Sequence, residues 1–270
     1  MAINSVLLTG AAGRIGTVLR PALATRYPNV RLLDRSPMSD LAANEEALEA
    51  DLADADAIAE AMEGVDAVVH LAGVSRIGDW DDILPLNIAA TYELFDAARR
   101  CAVKRFVFAS SHHAVGYYPR EQKIDHLVPV RPDCGYGLSK AFGEAAAQMF
   151  ADKFGMSAVC LRIGTCVERP YDRRTLITWI SHRDMQNLTI ASLEAETQGC
   201  EIVYGVSAND RGIWDNGRAL ELGYRPLDNS ERYAEEVLAQ PDTEDPVAAR
   251  YHGGAFAAHD FAGSPATAKP

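Results

Sequence analysis

Near the N-terminus, Gly10-Ala11-Ala12-Gly13-Arg14-Ile15-Gly16 separates an apolar run at 5–9 from an amphipathic stretch that begins at Arg14. Glycines at this spacing permit a tight turn and let a diphosphate approach the backbone, while the N–H groups that open the helix face its negative charge. A strand, a glycine turn and a helix in that order predict a dinucleotide site built on Gly10, Gly13, Arg14, Ile15 and Gly16. Ile15, Leu19 and Leu23 share one face of the helix, and Pro21 inside it predicts a kink or strained first turns.

The alternation continues. Strands are expected at 29–33 (ending at Asp34), 67–71, 105–109 and 157–163, with helices at 55–62, 83–101 and 136–154. Residues 36–48 are polar and acidic and read as a loop or frayed helix. Strands alternating with helices imply an α/β fold of the Rossmann type, a doubly wound parallel sheet with helices on both faces. The expected division is a nucleotide-binding domain at 1–164, a small substrate-binding cap at 165–252 that returns to the main domain, and a flexible or docked tail at 253–270. Within the cap, 179–190 and 230–238 read as helices and 201–206 as a strand.

The net charge of -12 disfavours nucleic acid and anionic lipid surfaces as partners, and no apolar run is long enough to span a bilayer. The first residues lack the pattern of a signal peptide. Five scattered cysteines without a Cys-x-x-Cys pair predict a reducing, cytoplasmic setting and no metal.

Asp34, at the end of the second strand, stands where a carboxylate can accept both adenosine ribose hydroxyls and repel a 2′-phosphate, which predicts NAD over NADP; Arg35 beside it pulls the other way. Asp51 and Leu52 are expected near the adenine, although Asp51 also suits a helix N-cap. Leu71, Ala72 and Gly73 let the cofactor lie close to the third central strand, and His70 there reads as structural.

Tyr136 and Lys140 stand four residues apart, on one face of a helix. A phenol loses its proton near pH 10. A neighbouring ammonium and a positive nicotinamide ring favour phenolate, so the pair predicts a tyrosine general base with a lowered pKa.

With Asn87 and Ser110-Ser111, these motifs resemble the extended short-chain dehydrogenase/reductase family over nearly the whole chain, most closely its uronate dehydrogenase branch. The blocks that carry the closer resemblance are Ser110-Ser111-His112-His113 with Gly116-Tyr117-Tyr118-Pro119, Arg162-Ile163-Gly164-Thr165-Cys166, Arg174 with Trp179 and His182, Ser207-Ala208-Asn209-Asp210, and Trp214-Asp215-Asn216. The resemblance implies NAD as cofactor, lined also by Asn87 and Ile163, and oxidation of a hexuronate (galacturonate or glucuronate) at C1 to an aldarolactone. In that scheme Tyr136 takes the C1 hydroxyl proton, Lys140 holds the nicotinamide ribose, and Ser111 orients the reacting oxygen. Ser75, Ser111, His112, His113, Tyr136 and Thr165 line the sugar. Arg174 is the candidate for its carboxylate because a guanidinium fork suits a bidentate anion, with Arg173 as competitor. His112 replaces the branch's usual Asn and Thr165 its Ser, so the preferred epimer stays open. Trp179 and Trp214 read as packing residues. A small-molecule acid sugar is thus the expected partner, and a homo-oligomer is expected by analogy. Two alternatives remain: a sugar-nucleotide epimerase or dehydratase, disfavoured by the short cap, and a non-catalytic NAD-binding regulator, which has no need of Ser111, Tyr136 and Lys140.

Overall fold

A computed structural model describes residues 2–263; the last part of the expected tail, 264–270, lies outside the described residues. The strands are β1 (Ser5–Thr9), β2 (Asn29–Asp34), β3 (Glu45–Glu49), β4 (Ala67–His70), β5 (Arg105–Ser111), β6 (Ser157–Ile163), β7 (Thr165–Cys166), β8 (Trp179–Ile180) and β9 (Cys200–Gly205). Seven of them form one sheet in the order β3-β2-β1-β4-β5-β6-β9, parallel throughout. The helices that cover it are α1 (Arg14–Arg26), α2 (Ala55–Met62), α3 (Trp80–Ile83), α4 (Ala90–Arg100), α5 (Gly135–Phe154), α6 (Thr175–Thr178) and α7 (His182–Glu194).

Strand residues alternate between two cores. Val6, Leu8, Leu32 and Val69 face Leu19 and Leu23 of α1 and Met185 and Leu188 of α7. Leu7, Leu33, Val68 and Phe106 face Phe95 of α4 and Phe150 of α5. Phe95 is the hub of the second core, stacked on Phe106 at 4.0 Å and on Phe150 at 5.5 Å between centroids. Both faces being covered, the central strands read as continuous apolar runs.

Several local expectations change. Residues 36–48 are not all loop or frayed helix, because Glu45–Glu49 forms the edge strand β3. Its glutamates point to solvent or to Arg20 and Arg31, which hides the strand from a hydrophobicity pattern. Helix α1 runs through Pro21 without a break. The long helix expected at 83–101 starts earlier and contains a π-helical segment, Leu84–Ala89, before α4. Residues 179–190 begin as strand β8, with α7 only from His182, where Ser181 Oγ accepts from Asp184 N. The stretch 230–238 is a 3-10 turn (Ser230–Tyr233) followed by a short helix (Ala234–Leu238). The N-cap of α2 is Asp54, which accepts from Asp56 N and Ala57 N, rather than Asp51. Among the described residues no helix is long and apolar enough to cross a membrane.

The chain leaves β1 towards β2 and β3, then returns to β4 on the other side. This reversal places a crevice beyond the C-terminal ends of β1 and β4, the usual ligand position in such sheets. Thr9 pairs with His70 and His70 with Phe108, so β5 extends three residues past β4 and carries Ser111 to the rim of the crevice beside Ile163.

Buried histidines make the fold acid-sensitive. His70 lies between Thr9 Oγ1 (2.7 Å) and Thr91 Oγ1 (3.2 Å), and burial holds its pKa down at about 3. His252 is held down at about 4 for the same reason. Both folded-state values lie below the ordinary 6.5, so as pH falls below 6.5 the unfolded chain binds protons that the folded chain refuses, and stability is lost. Asp133 opposes this, since burial raises its carboxyl to about 6 and the folded state gains by protonating there. With about 1.36 kcal/mol per unit per group, these three groups alone are expected to lower the unfolding free energy by about 3 kcal/mol between pH 7 and pH 5, and the depressed His112 and His113 add to the loss in the same direction. Urea titrations at the two pH values check this, and equal midpoints would exclude it.

Candidate active site

The glycine turn sits against the end of β4. Gly10 has φ +71°, and a Cβ there would come within 2.7 Å of Ala72 N. A Cβ on Gly16 would overlap Gly10 O, so α1 can begin this close to the turn only with glycine. The N-cap of α1 is Gly13, with no side-chain cap and no acid in the first turn, which leaves its positive end to an anion. Asp34 Oδ2 accepts from Ala12 N at 3.0 Å and Oδ1 from Ser36 N at 3.0 Å. Each oxygen retains a lone pair for a further donor. An uncapped helix start beside a strand-end carboxylate fits the diphosphate and ribose of a dinucleotide.

On the far side of the crevice, Asn87 lies in the π segment. Its Oδ1 accepts from Val74 N (2.7 Å) and its Nδ2 donates to Val74 O (2.9 Å) and Ser139 Oγ (2.9 Å). All three bonds tie the loop after β4 to α5, so Asn87 shapes that wall through its neighbours. Ser75 stands exposed on the same loop, Asp51 is exposed, and Leu52 is buried in the second core.

Helix α5 carries Tyr136 and Lys140, both buried. Gly143, one turn further on, lets the helix lie on β5, since a Cβ would overlap the Phe108 ring. Lys140 Nζ is 4.9 Å from the Phe108 ring centre and 5.7 Å from that of Tyr136, and burial pulls the ammonium down to about 8. The expected lowering of the tyrosine pKa is not present in the chain alone. Burial pushes the phenol up to about 12 against the pull of the neighbouring Ser111 hydroxyl. Desolvation of the phenolate outweighs an ammonium that is itself desolvated.

Beyond Ser111 the chain turns through a 3-10 segment, His112–Val115, capped by Ser111 Oγ on His113 N (3.2 Å). This turn aims two histidines in different directions. His113 Nδ1 donates to Asp133 Oδ2 at 2.7 Å, and its ring lies edge-on to Tyr136 at 5.8 Å and stacked on Phe256 at 4.1 Å. His112 Nδ1 donates to Ile163 O at 2.9 Å, and Nε2 accepts from Arg174 Nη2 at 2.7 Å. Burial holds both rings well below the ordinary histidine pKa, so both are neutral at pH 7. The network thereby sets the tautomer of each. Thr165 Oγ1, in β7, pairs with Thr178 Oγ1 at 2.8 Å.

The structure separates the two arginines. Arg173 is partly exposed, pairs with Asp242 at 3.4 Å and donates to Leu238 O. Arg174 is half-buried, with Nε shielded from solvent against Gly254; its Nη2 donates to His112 Nε2 and to His252 O (3.0 Å), and Nε has no hydrogen-bond partner among the described residues. No carboxylate among the described residues lies within ion-pair distance of it. Burial lowers its pKa, but a guanidinium keeps its charge in proteins.

Sequence reasoning missed Asp133 and Phe256. Asp133 fits only because Gly116 and Gly253 have no Cβ. Phe256 belongs to Ala255–Ala258, a single helical turn at the start of the expected tail, which no periodicity announces. Trp214 packs in a buried cluster with Val115, Ile124 and Tyr204, as its sequence suggests, and its Nε1 also donates to His252 Nδ1 at 3.0 Å.

The chain belongs to the NAD dependent epimerase/dehydratase family, whose model matches residues 6–195. It is 44% identical over 257 residues to the uronate dehydrogenase of Agrobacterium fabrum, covering 94% of this chain and 97% of that protein. The structure of glucuronic acid dehydrogenase from Chromohalobacter salexigens superposes with a TM-score of 0.91 at 43% identity, over 98% of this chain and 100% of that one. A tyrosine-to-alanine mutant of uronate dehydrogenase from Agrobacterium tumefaciens, complexed with NAD, superposes with a TM-score of 0.90 at 42% identity, over 95% and 98% of the two chains.

Proposed function

We propose that this chain is an NAD-dependent uronate dehydrogenase that oxidises galacturonate or glucuronate at C1 to the aldarolactone. The observation that carries the substrate class is Arg174, a half-buried guanidinium with no carboxylate within ion-pair distance among the described residues, whose two hydrogen bonds both leave from Nη2. A partly desolvated charge without a counter-ion favours an anionic ligand, and with Nη2 given to His112 and His252 it is Nη1 that remains to donate to a carboxylate. The relatives named above act on this class of sugar.

The turn from Gly10 to Gly16 and the α1 N-terminus would hold the NAD diphosphate, and Asp34 the adenosine ribose, where its charge excludes a 2′-phosphate. Bound NAD supplies the hydride acceptor and a positive ring near the phenol. Tyr136 accepts the C1 hydroxyl proton as phenolate, and the Ser111 hydroxyl beside the phenol orients the reacting oxygen. Lys140 adds positive charge and holds the nicotinamide ribose. His113 leaves Nε2 as an acceptor for a sugar hydroxyl, because Nδ1 is committed to Asp133. Ser75 and Thr165 complete the sugar's surroundings. Self-association belongs to the same reading, supported by Tyr92, Met149 and Phe154 standing exposed on α4 and α5.

The test is to mix the protein with NAD and galacturonate or glucuronate and follow NADH absorbance. Steady accumulation is expected with at least one of them. Silence with both, together with turnover of a UDP-sugar, would assign the chain to the epimerase side of the family.

A further inference from the structure

The two acceptors that hold Arg174 share a neighbour. His112, whose Nε2 receives Nη2, packs its ring on Trp214 at 5.5 Å between centroids. His252, whose carbonyl receives the same Nη2, packs on Trp214 at 5.7 Å and accepts its indole N–H on Nδ1. His252 Nε2 donates to Gln122 O at 3.0 Å, so both ring nitrogens are used and the ring cannot turn without losing a bond. Trp214 is itself fixed, stacked on Tyr204 at 5.3 Å and 9°. The indole is thus a wedge between a rigid strand residue and both partners of the Arg174 guanidinium.

The same contacts order the segment that follows. His252 N donates to Tyr118 O and Gly253 N to Gly116 O. Gly254, at φ +61°, lies against Arg174, where a Cβ would overlap Nε. A guanidinium held on one nitrogen by two acceptors keeps a single orientation only while both acceptors stay in place. One is a backbone carbonyl whose residue is pinned through its ring.

We propose that Trp214 and His252 are positioning residues for the anion site: the indole–imidazole hydrogen bond fixes the His252 carbonyl and with it the direction in which Arg174 presents its free N–H groups to the acid group of the sugar. The proposal rests on Arg174 binding that acid group.

A double-mutant cycle tests it on the full-length protein. Trp214→Phe keeps a ring against Tyr204 and deletes the N–H. It is expected to lower kcat/KM for galacturonate about tenfold, through KM, with the KM for NAD changed less than twofold. In an Arg174→Ala background the same substitution is expected to cost less than about twofold further, since nothing remains to be positioned. His252→Asn, which keeps an acceptor near Nδ1, should retain more of the uronate affinity than His252→Ala. Equal losses from Trp214→Phe in both backgrounds, an unchanged KM for galacturonate, or identical behaviour of the two His252 variants would overturn the proposal. If Trp214→Phe fails to fold, the His252 pair decides alone. An unaltered KM in Arg174→Ala by itself would instead remove the carboxylate assignment beneath it, and the silent variant tells the two failures apart.

Discussion

Tyr136→Phe is expected to lower kcat for galacturonate oxidation by about 10³–10⁴-fold, the upper part of the range for losing a positioned general base, while NAD still binds. The substitution deletes one oxygen from a buried ring that packs edge-on to His113 and Phe256, so the fold should be kept. In the chain alone the phenol sits at about 12 and the Lys140 ammonium at about 8. The reactive phenolate is therefore a minor form near neutrality, and its population grows with pH. The wild-type oxidation rate should rise from pH 6 to 8 and stop rising as Lys140 loses its charge. Steady-state rates across that range check both statements. A Tyr136→Phe enzyme within tenfold of wild type would remove the tyrosine from its assigned role.

Arg174→Ala is expected to reduce kcat/KM for galacturonate by about 10²–10³-fold, the size expected when one partner of a hydrogen-bonded charge pair that the bound sugar closes off from water is truncated. Most of the loss should fall on KM, because the acid group is bound equally before and during hydride transfer. Any turnover of galactose, which lacks the carboxylate, should suffer far less. Arg174→Lys should not restore the affinity, since an ammonium has no fork and cannot meet His112 Nε2, His252 O and a carboxylate in one plane. Equal losses for the acid and neutral sugars would mean that Arg174 serves packing.

Much of the fold was legible because its signals are local. β1, the glycine turn and α1 follow one another within the first 26 residues, and the centre of β6 shows as the apolar run Ala158–Leu161. Strand β3 was not legible, because it lies at the sheet edge and its Glu45 and Glu46 belong to an acidic stretch that reads as loop or frayed helix. The π segment was hidden because its extra width serves Asn87 and the loop after β4, contacts made 13 and 52 residues away.

At the site the division is similar. Tyr136 and Lys140 could be paired from spacing alone, since i and i+4 share a helix face whatever else the chain does. The pKa of the phenol in the chain alone could not, because desolvation sums over every group packed around the ring and raises it, whereas the expected lowering counts the nicotinamide charge as well. Between Arg173 and Arg174 the sequence offered only adjacency. The choice was made by His112, 62 residues before Arg174, and by His252, 78 residues after it. Sequence by itself determined which chemical groups are present and which lie close through the backbone's own periodicity. Tertiary structure alone decided which of them are buried, which charge is left without a counter-ion, and which acceptors aim it, because burial and pairing depend on residues that meet only when the sheet and its C-terminal segment close around the crevice.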